Sequence, residues 1–159
     1  MIKNTDLKQN AQKSIRIRAE KIRNKFKRNG AIKFPDSKVM ELTLSEALLL
    51  GLLKQGVKRF FVIFGHGSTD FGEVLRIYNE EGVIDVINCR NEIEMAHAAT
   101  AYAWVYKDTP AVVTSIGPGA LQAMAGSLTA VSNNIGVYHI YGDETTHGEG
   151  YNMQQIPKP

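Results

Sequence analysis

The sequence predicts an α/β fold, a parallel sheet with helices on both faces, preceded by a basic amphipathic N-terminal helix. Three observations carry that expectation. Short apolar runs of strand length alternate with longer stretches of helical period, the rhythm of successive strand-helix-strand units. The runs Arg59 to Phe64 (RFFVIF) and Ala111 to Ile116 (AVVTSI) are almost continuously apolar, as strands buried on both faces are. Glycine-rich turns, Gly65-His66-Gly67 and Gly117-Pro118-Gly119, close those two runs.

Taken in order, the chain opens with Ala11, Ile15, Ala19, Ile22 and Phe26 at helical spacing, with Lys and Arg on the other faces up to Gly30. Such a helix is either a solvated arm docking its narrow apolar stripe on the body or on a second subunit, or a membrane-surface or targeting segment. It lacks the serine content of a transit peptide. Residues 31–40, with Pro35 inside, read as a linker, which sets the expected division at 1–40 for arm and linker and 41–159 for the globular domain.

Thr43 and Glu46 have the spacing of a capping box ahead of Leu44, Leu48, Leu49, Leu52 and Leu53, and Gly56 stands where a helix ends. After the Arg59 to Phe64 strand, Asp70 and Glu73 open a helix carrying Phe71, Val74, Leu75 and Tyr78, which Gly82 ends. Val83 to Ile87 is the next strand. Asn91, with Glu94 three residues on, is a second capping signal for a helix to Tyr106 that places Glu92 in its first turn. Leu121, Met124, Ala125, Leu128 and Val131 mark the apolar face of a last helix, and Ile135 to Tyr141 is the last strand.

In a parallel sheet the turns after the strand carboxyl ends share one edge, where ligands bind. Gly65 to Gly67, Arg90 to Glu92, Gly117 to Gly119 and the segment 143–155 all fall on it.

Composition narrows the function classes. With 159 residues, 43% hydrophobic and 22% charged, the chain suits one globular core. The net charge of +3 divides into +9 over residues 1–40 and −6 over the rest. A nucleic-acid surface on the folded part would carry the opposite sign, so no nucleic-acid partner is expected. The lone Cys89, the lack of a signal-peptide core and the shortness of every apolar run predict a cytoplasmic protein without a membrane span.

The turn Gly65-His66-Gly67 lacks the third glycine of a dinucleotide fingerprint, Asp70 standing there, and no P-loop occurs. Ser68 and Ser115 lack a nucleophile elbow. His66, His97, His139 and His147 show no paired ligand spacing, so no metal is assigned to this chain. His97, among alanines, reads as a hydrogen-bonded structural histidine, and Cys89 as a packing residue. His66 is either a turn residue or a polar group aimed at a ligand. An acid at Glu92 is favourable against the helix macrodipole with no chemistry at all.

Arg90 to Trp104 (RNEIEMAHAATAYAW) resembles the segment of thiamine-diphosphate enzymes of the acetolactate synthase type in which Arg-x-Glu precedes Ala-His-Ala-Ala. Ser115 to Asp143, where Gly-Pro-Gly opens a helix leading to a strand, is similar to the next block of the same family, and Leu42 to Gly67 fits its opening. The Gly-His-Gly turn and Met153-Gln154-Gln155 resemble most the branch that hydrolyses trihydroxycyclohexane-dione in inositol breakdown.

This resemblance covers the pyrimidine-binding domain only. It implies that the carboxyl group of Glu92 hydrogen-bonds a ring nitrogen of the cofactor's aminopyrimidine, promoting loss of the thiazolium proton, after which the cofactor adds to a carbonyl and accepts the electrons of a breaking carbon-carbon bond. An amide could not share that proton. The helix N-terminus would lower the pKa of Glu92 and burial would raise it, and the sequence leaves the balance open. By the same resemblance Gly117, Pro118, Gly119, Gly65 and Gly67 line the cofactor cleft, and His66 and Gln154 face the substrate.

The family's Gly-Asp-Gly diphosphate site, with its magnesium-binding Asn, does not occur here, and the chain stops at Pro159, before the closing helix such domains carry. The expectation is therefore half of an active site: thiamine diphosphate shared with a diphosphate-binding domain or subunit that also holds Mg2+, in a homo- or hetero-oligomer. The substrate would be a 2-oxo acid or cyclic dione. The rival expectation is a non-catalytic α/β module serving assembly or regulation. A nucleotide-binding flavodoxin-like domain is a weaker one.

Overall fold

The computed structural model describes residues 4–29 and 40–143, with side chains from 8–25 and 40–143. Five helices and four strands follow one another as α1 (Asn4–Asn29), α2 (Leu44–Lys54), β1 (Arg59–Ile63), α3 (Thr69–Glu80), β2 (Asp85–Asn88), α4 (Glu92–Tyr106), β3 (Ala111–Thr114), α5 (Pro118–Ser132) and β4 (Tyr138–Tyr141). All strand pairs are parallel, in the order β2-β1-β3-β4. The expected linker falls almost wholly outside the described residues, as do His147 and Gln154.

Alternation along the central strands builds two cores. Phe60 and Val62 of β1, with Ala111 and Val113 of β3, face α1, α2 and α3, where Leu49, Leu53, Phe71, Leu75, Ile77 and Tyr78 close the larger core. Phe61 and Val112 face the other way and meet Met95 and Ala99 of α4 and Ala123 of α5. Central strands buried on both faces must be apolar at every position, which is why those two runs are continuous. The edge strand β2 is mostly exposed.

The termini of the helices follow their predicted signals with two exceptions. Asn91 Oδ1 accepts from the backbone N–H groups of Ile93 (2.9 Å) and Glu94 (3.1 Å), a full N-cap. Gly56 and Gly82 follow α2 and α3 at φ of 88° and 68°, the left-handed conformation that glycine adopts without strain. At α2, Thr43 Oγ1 accepts from Glu46 N–H (3.2 Å), but Glu46 does not complete the box. Its carboxylate turns into the interior and is engaged by Arg18 of α1 and Tyr78 of α3. At α4 only the Asn91 half forms, with no return bond from Glu94 among the described residues.

Three expectations about faces are corrected. On α5, the large apolar residues Leu121, Met124, Leu128 and Val131 are 52 to 70% exposed, and Gly119, Ala123, Gly126 and Ala130 form the buried face instead. The reason is distance. A Cβ on Gly126 would stand 2.7 Å from the Ile93 carbonyl oxygen and 2.9 Å from Ala96 Cβ, so α4 and α5 approach too closely for anything but small residues. On α2, Leu44 and Leu48 likewise point outward while Leu49, Leu50, Leu52 and Leu53 are buried. His97 is exposed, with no hydrogen bond among the described residues, and lines an open groove with Trp104 and Thr129.

The N-terminal helix docks on the body of its own chain. Ile15 and Ala19 are buried in the larger core with Ile22 packed beside them. Among the described residues no helix is long and apolar enough to cross a membrane.

Candidate functional site

The strand order contains a reversal. From β1 the chain passes through α3 on one face to β2, and from the adjacent β3 it passes through α5 on the opposite face to β4. The two connections diverge and leave a crevice at the carboxyl ends of β1 and β3, the place where open α/β sheets bind ligands. The residues there are the turn 64–68, Ser115 to Gly117 and, from β4, Gly142 and Asp143.

These turns are interlocked by backbone groups and two serine hydroxyls. The His66 carbonyl accepts from Ser115 Oγ and from Ile116 N–H, both at 3.3 Å. A Cβ on Gly65 would lie 2.5 Å from Ser115 Oγ, and one on Gly67, already at φ 80°, would lie 2.5 Å from Ile116 Cγ2 and 2.6 Å from the Asp143 backbone. Buried Ser68 fastens the first turn internally, its hydroxyl accepting from Gly65 N–H (3.2 Å) and donating to the Gly65 carbonyl (3.1 Å). Gly142 N–H donates to the Thr114 carbonyl (3.0 Å), tying the fourth strand end to the third.

Gly117 is the N-cap of α5 at φ 59°, ψ −116°, a conformation that a side chain would strain. Pro118 follows at the first helical position, where its missing N–H costs nothing. One residue further, Gly119 faces Glu92: a Cβ there would stand 3.2 Å from Glu92 Oε1 and 3.6 Å from Ser115 Cβ.

Glu92 is the first residue of α4, half-buried, and its carboxylate takes no hydrogen bond or ion pair from the described residues. An acid free of internal partners at the mouth of a ligand crevice can exchange a proton with a bound molecule.

The structure thus brings Gly65, Gly67, Gly117, Gly119 and Glu92 to one edge, with the His66 backbone pinned beside Ser115 and its side chain exposed. Gln154 lies outside the described residues. Ser115 is the site residue that sequence reasoning missed, having been weighed only as a hydrolase nucleophile. Its signal was its place as the residue between a central strand and a glycine turn, since such a residue stands between neighbouring turns.

Cys89 follows β2 and packs half-buried against the smaller core. Burial pushes its thiol pKa up, against a backbone hydrogen bond with Val62 that lowers it. No group of three or more His, Cys, Asp or Glu side chains suited to a metal occurs among the described residues.

Residues 42–158 match the family described as thiamine pyrophosphate enzyme, N-terminal TPP binding domain. The chain is 37% identical over 119 residues to the 3D-(3,5/4)-trihydroxycyclohexane-1,2-dione hydrolase of Bacillus licheniformis, a match covering 67% of this chain and 18% of that enzyme. The enzyme of the same name from Shouchella clausii is 36% identical over 120 residues, with the same shares. That from Geobacillus thermodenitrificans is 38% identical over 96 residues, 58% of this chain and 15% of the relative. The chain therefore spans less than a fifth of the length of these curated relatives. It belongs to the thiamine pyrophosphate enzymes as a member of their N-terminal TPP-binding domain family.

Proposed function

We propose that this chain supplies the pyrimidine-binding half of a thiamine-diphosphate-dependent carbon-carbon lyase, synthase or hydrolase, with Glu92 as its proton-sharing group. The observation that carries this reading is the half-buried Glu92 carboxylate, unpartnered among the described residues and set against Gly119 at the switch-point crevice. When bound, the cofactor supplies a carbon nucleophile for a carbonyl and an electron sink for the bond that breaks. Glu92 holds a proton against a ring nitrogen of the aminopyrimidine. A carboxyl group can give and take that proton, whereas an amide can only hydrogen-bond.

Gly65, Gly67, Gly117, Pro118 and Gly119 would hold the pyrimidine by backbone approach, which glycine permits, and the reading is supported at Gly119, whose missing side chain leaves Glu92 Oε1 as the nearest atom. His66, on its pinned turn, and Gln154 would face the substrate. The names of the relatives make a cyclic polyhydroxy 1,2-dione the first substrate to try, with a 2-oxo acid second.

The diphosphate end of the cofactor and its Mg2+ would be held by a separate domain or subunit, as the short share of the relatives' length suggests. The outward face of α5 suits such a partner. Its 15 residues include no charged side chain, and Leu121, Met124, Leu128 and Val131 stand exposed on it, as Trp104 and Val105 do on α4, apolar surface of the kind that marks protein interfaces.

The test is reconstitution with a diphosphate-binding domain. Turnover that requires thiamine diphosphate and magnesium, and that Glu92→Gln lowers by roughly 10²–10⁴-fold, the usual span for a lost acid-base group, is the expected result. Undiminished turnover in that variant would remove Glu92 from the mechanism.

A further inference from the structure

The family match begins at residue 42, so α1 lies wholly outside it. Its charges are nevertheless sorted by type. The described arginines turn toward the body: Arg16 bridges Glu80 and Glu81, Arg23 reaches Glu81 (3.1 Å), and Arg18 grips Glu46. Lys8, Lys13, Lys21 and Lys25 are exposed. Guanidinium groups pair carboxylates through two nitrogens and tolerate burial, while ammonium groups favour water, so the sorting is that of a helix built to lie on an acidic partner.

The body carries the matching half. Glu46 is 0% exposed. Its Oε1 accepts from Arg18 Nε (2.8 Å) and Tyr78 Oη (3.0 Å), and its other oxygen from Arg18 Nη2. Without Arg18, the domain would hold a buried carboxylate with no counter-charge, which is strongly unfavourable. Glu80 and Glu81 sit at the C-terminal end of α3, whose last turn has no basic residue, so they oppose its macrodipole. Arg16 and Arg23 offset both. Gln12 adds a hydrogen bond to Glu73 (2.9 Å), and Ile15 and Ala19 fill the apolar gap between these polar contacts.

Two features that disfavour the domain alone thus become favourable once α1 is seated. We propose that the α2–α3 face is a built receptor for an arginine-bearing amphipathic helix, and that α1 of the same chain is its occupant, a clasp separable from the domain it closes. Seating the clasp fixes α3, and α3 begins at Thr69, directly after the turn that carries His66. The folded unit then includes α1 together with the domain it packs on. This inference stands whatever reaction the site performs.

The first test uses the full chain with a protease site introduced between residues 30 and 39. After cleavage, the N-terminal fragment is expected to co-elute with the body in a one-to-one complex by native mass spectrometry. A fragment that separates and leaves the melting temperature of the body unchanged overturns the proposal. Exchange of the helix between two uncut chains, seen as a dimer that yields mixed fragment-body pairs from differently labelled chains after cleavage, overturns the intramolecular clasp.

The second test is a double-mutant cycle in the uncut chain. Arg18→Met is expected to lower the melting temperature by roughly 10 °C, the order that breaking a buried pair implies. Adding Glu46→Gln should recover part of that loss by removing the stranded charge. A double variant no more stable than Arg18→Met alone overturns the pairing as the seat of the clasp.

Discussion

Glu92 Oε1 lies 3.2 Å from the point where a Cβ on Gly119 would stand, so the acid and the first turn of α5 share a space that only a missing side chain provides. Gly119→Ala tests the acid's position without touching the acid. Alanine is the better helix former, by about 1 kcal/mol in helix interiors, and the contact is with the end of a flexible side chain. Urea denaturation should therefore show stability within roughly 1 kcal/mol of the parent. Turnover of the reconstituted enzyme should fall, because the carboxylate has to move by a few tenths of an ångström. Equal turnover would mean that Glu92 does not depend on this approach.

Gly126→Ala should behave in the opposite way. The neighbour there is the Ile93 backbone carbonyl, at 2.7 Å from the added Cβ, and backbone cannot swing aside. Overpacking of this kind costs about 1–3 kcal/mol, to be read as a lower urea midpoint with an unchanged slope.

His139 sets a pH dependence. Burial lowers its pKa from the ordinary 6.5, so the folded chain keeps the ring neutral at pH values where the unfolded chain has already taken up a proton. The unfolded state binds more protons as the pH falls below 6.5, and stability falls with it. Above 6.5 the group contributes no slope. Melting temperatures measured downward from neutral pH should show this decline, and His139→Phe should flatten it. Tyr141, whose hydroxyl lies 3.1 Å from His139 Nδ1, loses that contact in the variant, which lowers the plateau without restoring the slope.

A second titration works at lower pH. Hydrogen bonds from Arg76 hold the Glu73 carboxyl below its ordinary 4.5, and those from Arg16 and Arg76 do the same for Glu80. Their stabilisation is present above 4.5 and is lost as the pH falls through the lowered folded values. Replacing Glu73 and Glu80 with Gln should shallow the acid limb of a melting-temperature profile. An unchanged limb would assign it to other carboxylates.

Cys89 should react slowly. Its raised thiol pKa leaves little thiolate at neutral pH, and thiolate is the reacting form. A chromogenic disulfide reagent should label the native chain more slowly than the urea-unfolded one, and comparable rates would contradict this packing role.

Much of the fold was legible because local rules and tertiary needs agreed. The continuous runs at Phe60 to Val62 and Ala111 to Val113 could only be doubly buried strands, and Asn91, Gly56 and Gly82 marked helix ends by chemistry that acts within a few residues. The misreadings came where a rule was silent about distance. Thr43 and Glu46 have capping-box spacing, but spacing cannot tell that a cation from α1 competes for the carboxylate. On α5, hydrophobicity pointed to the large residues, whereas the close approach of α4 selected Gly119, Ala123, Gly126 and Ala130. Glu92 and the glycine turns were legible as a cluster because a parallel sheet gathers its turns on one edge. Ser115 was not, since its role arises from two turns meeting across neighbouring strands.

Under the proposed function, the uncharged outer surface of α5 makes the apparent stability of this chain a matter of mass action. If the proposed diphosphate-binding partner covers Leu121, Met124, Leu128 and Val131, it binds the folded form and not the unfolded one, so each tenfold rise in its free concentration beyond saturation adds about 1.4 kcal/mol of apparent stability. On that reading a melting temperature taken on the dilute chain alone is a floor, set by dilution as much as by sequence.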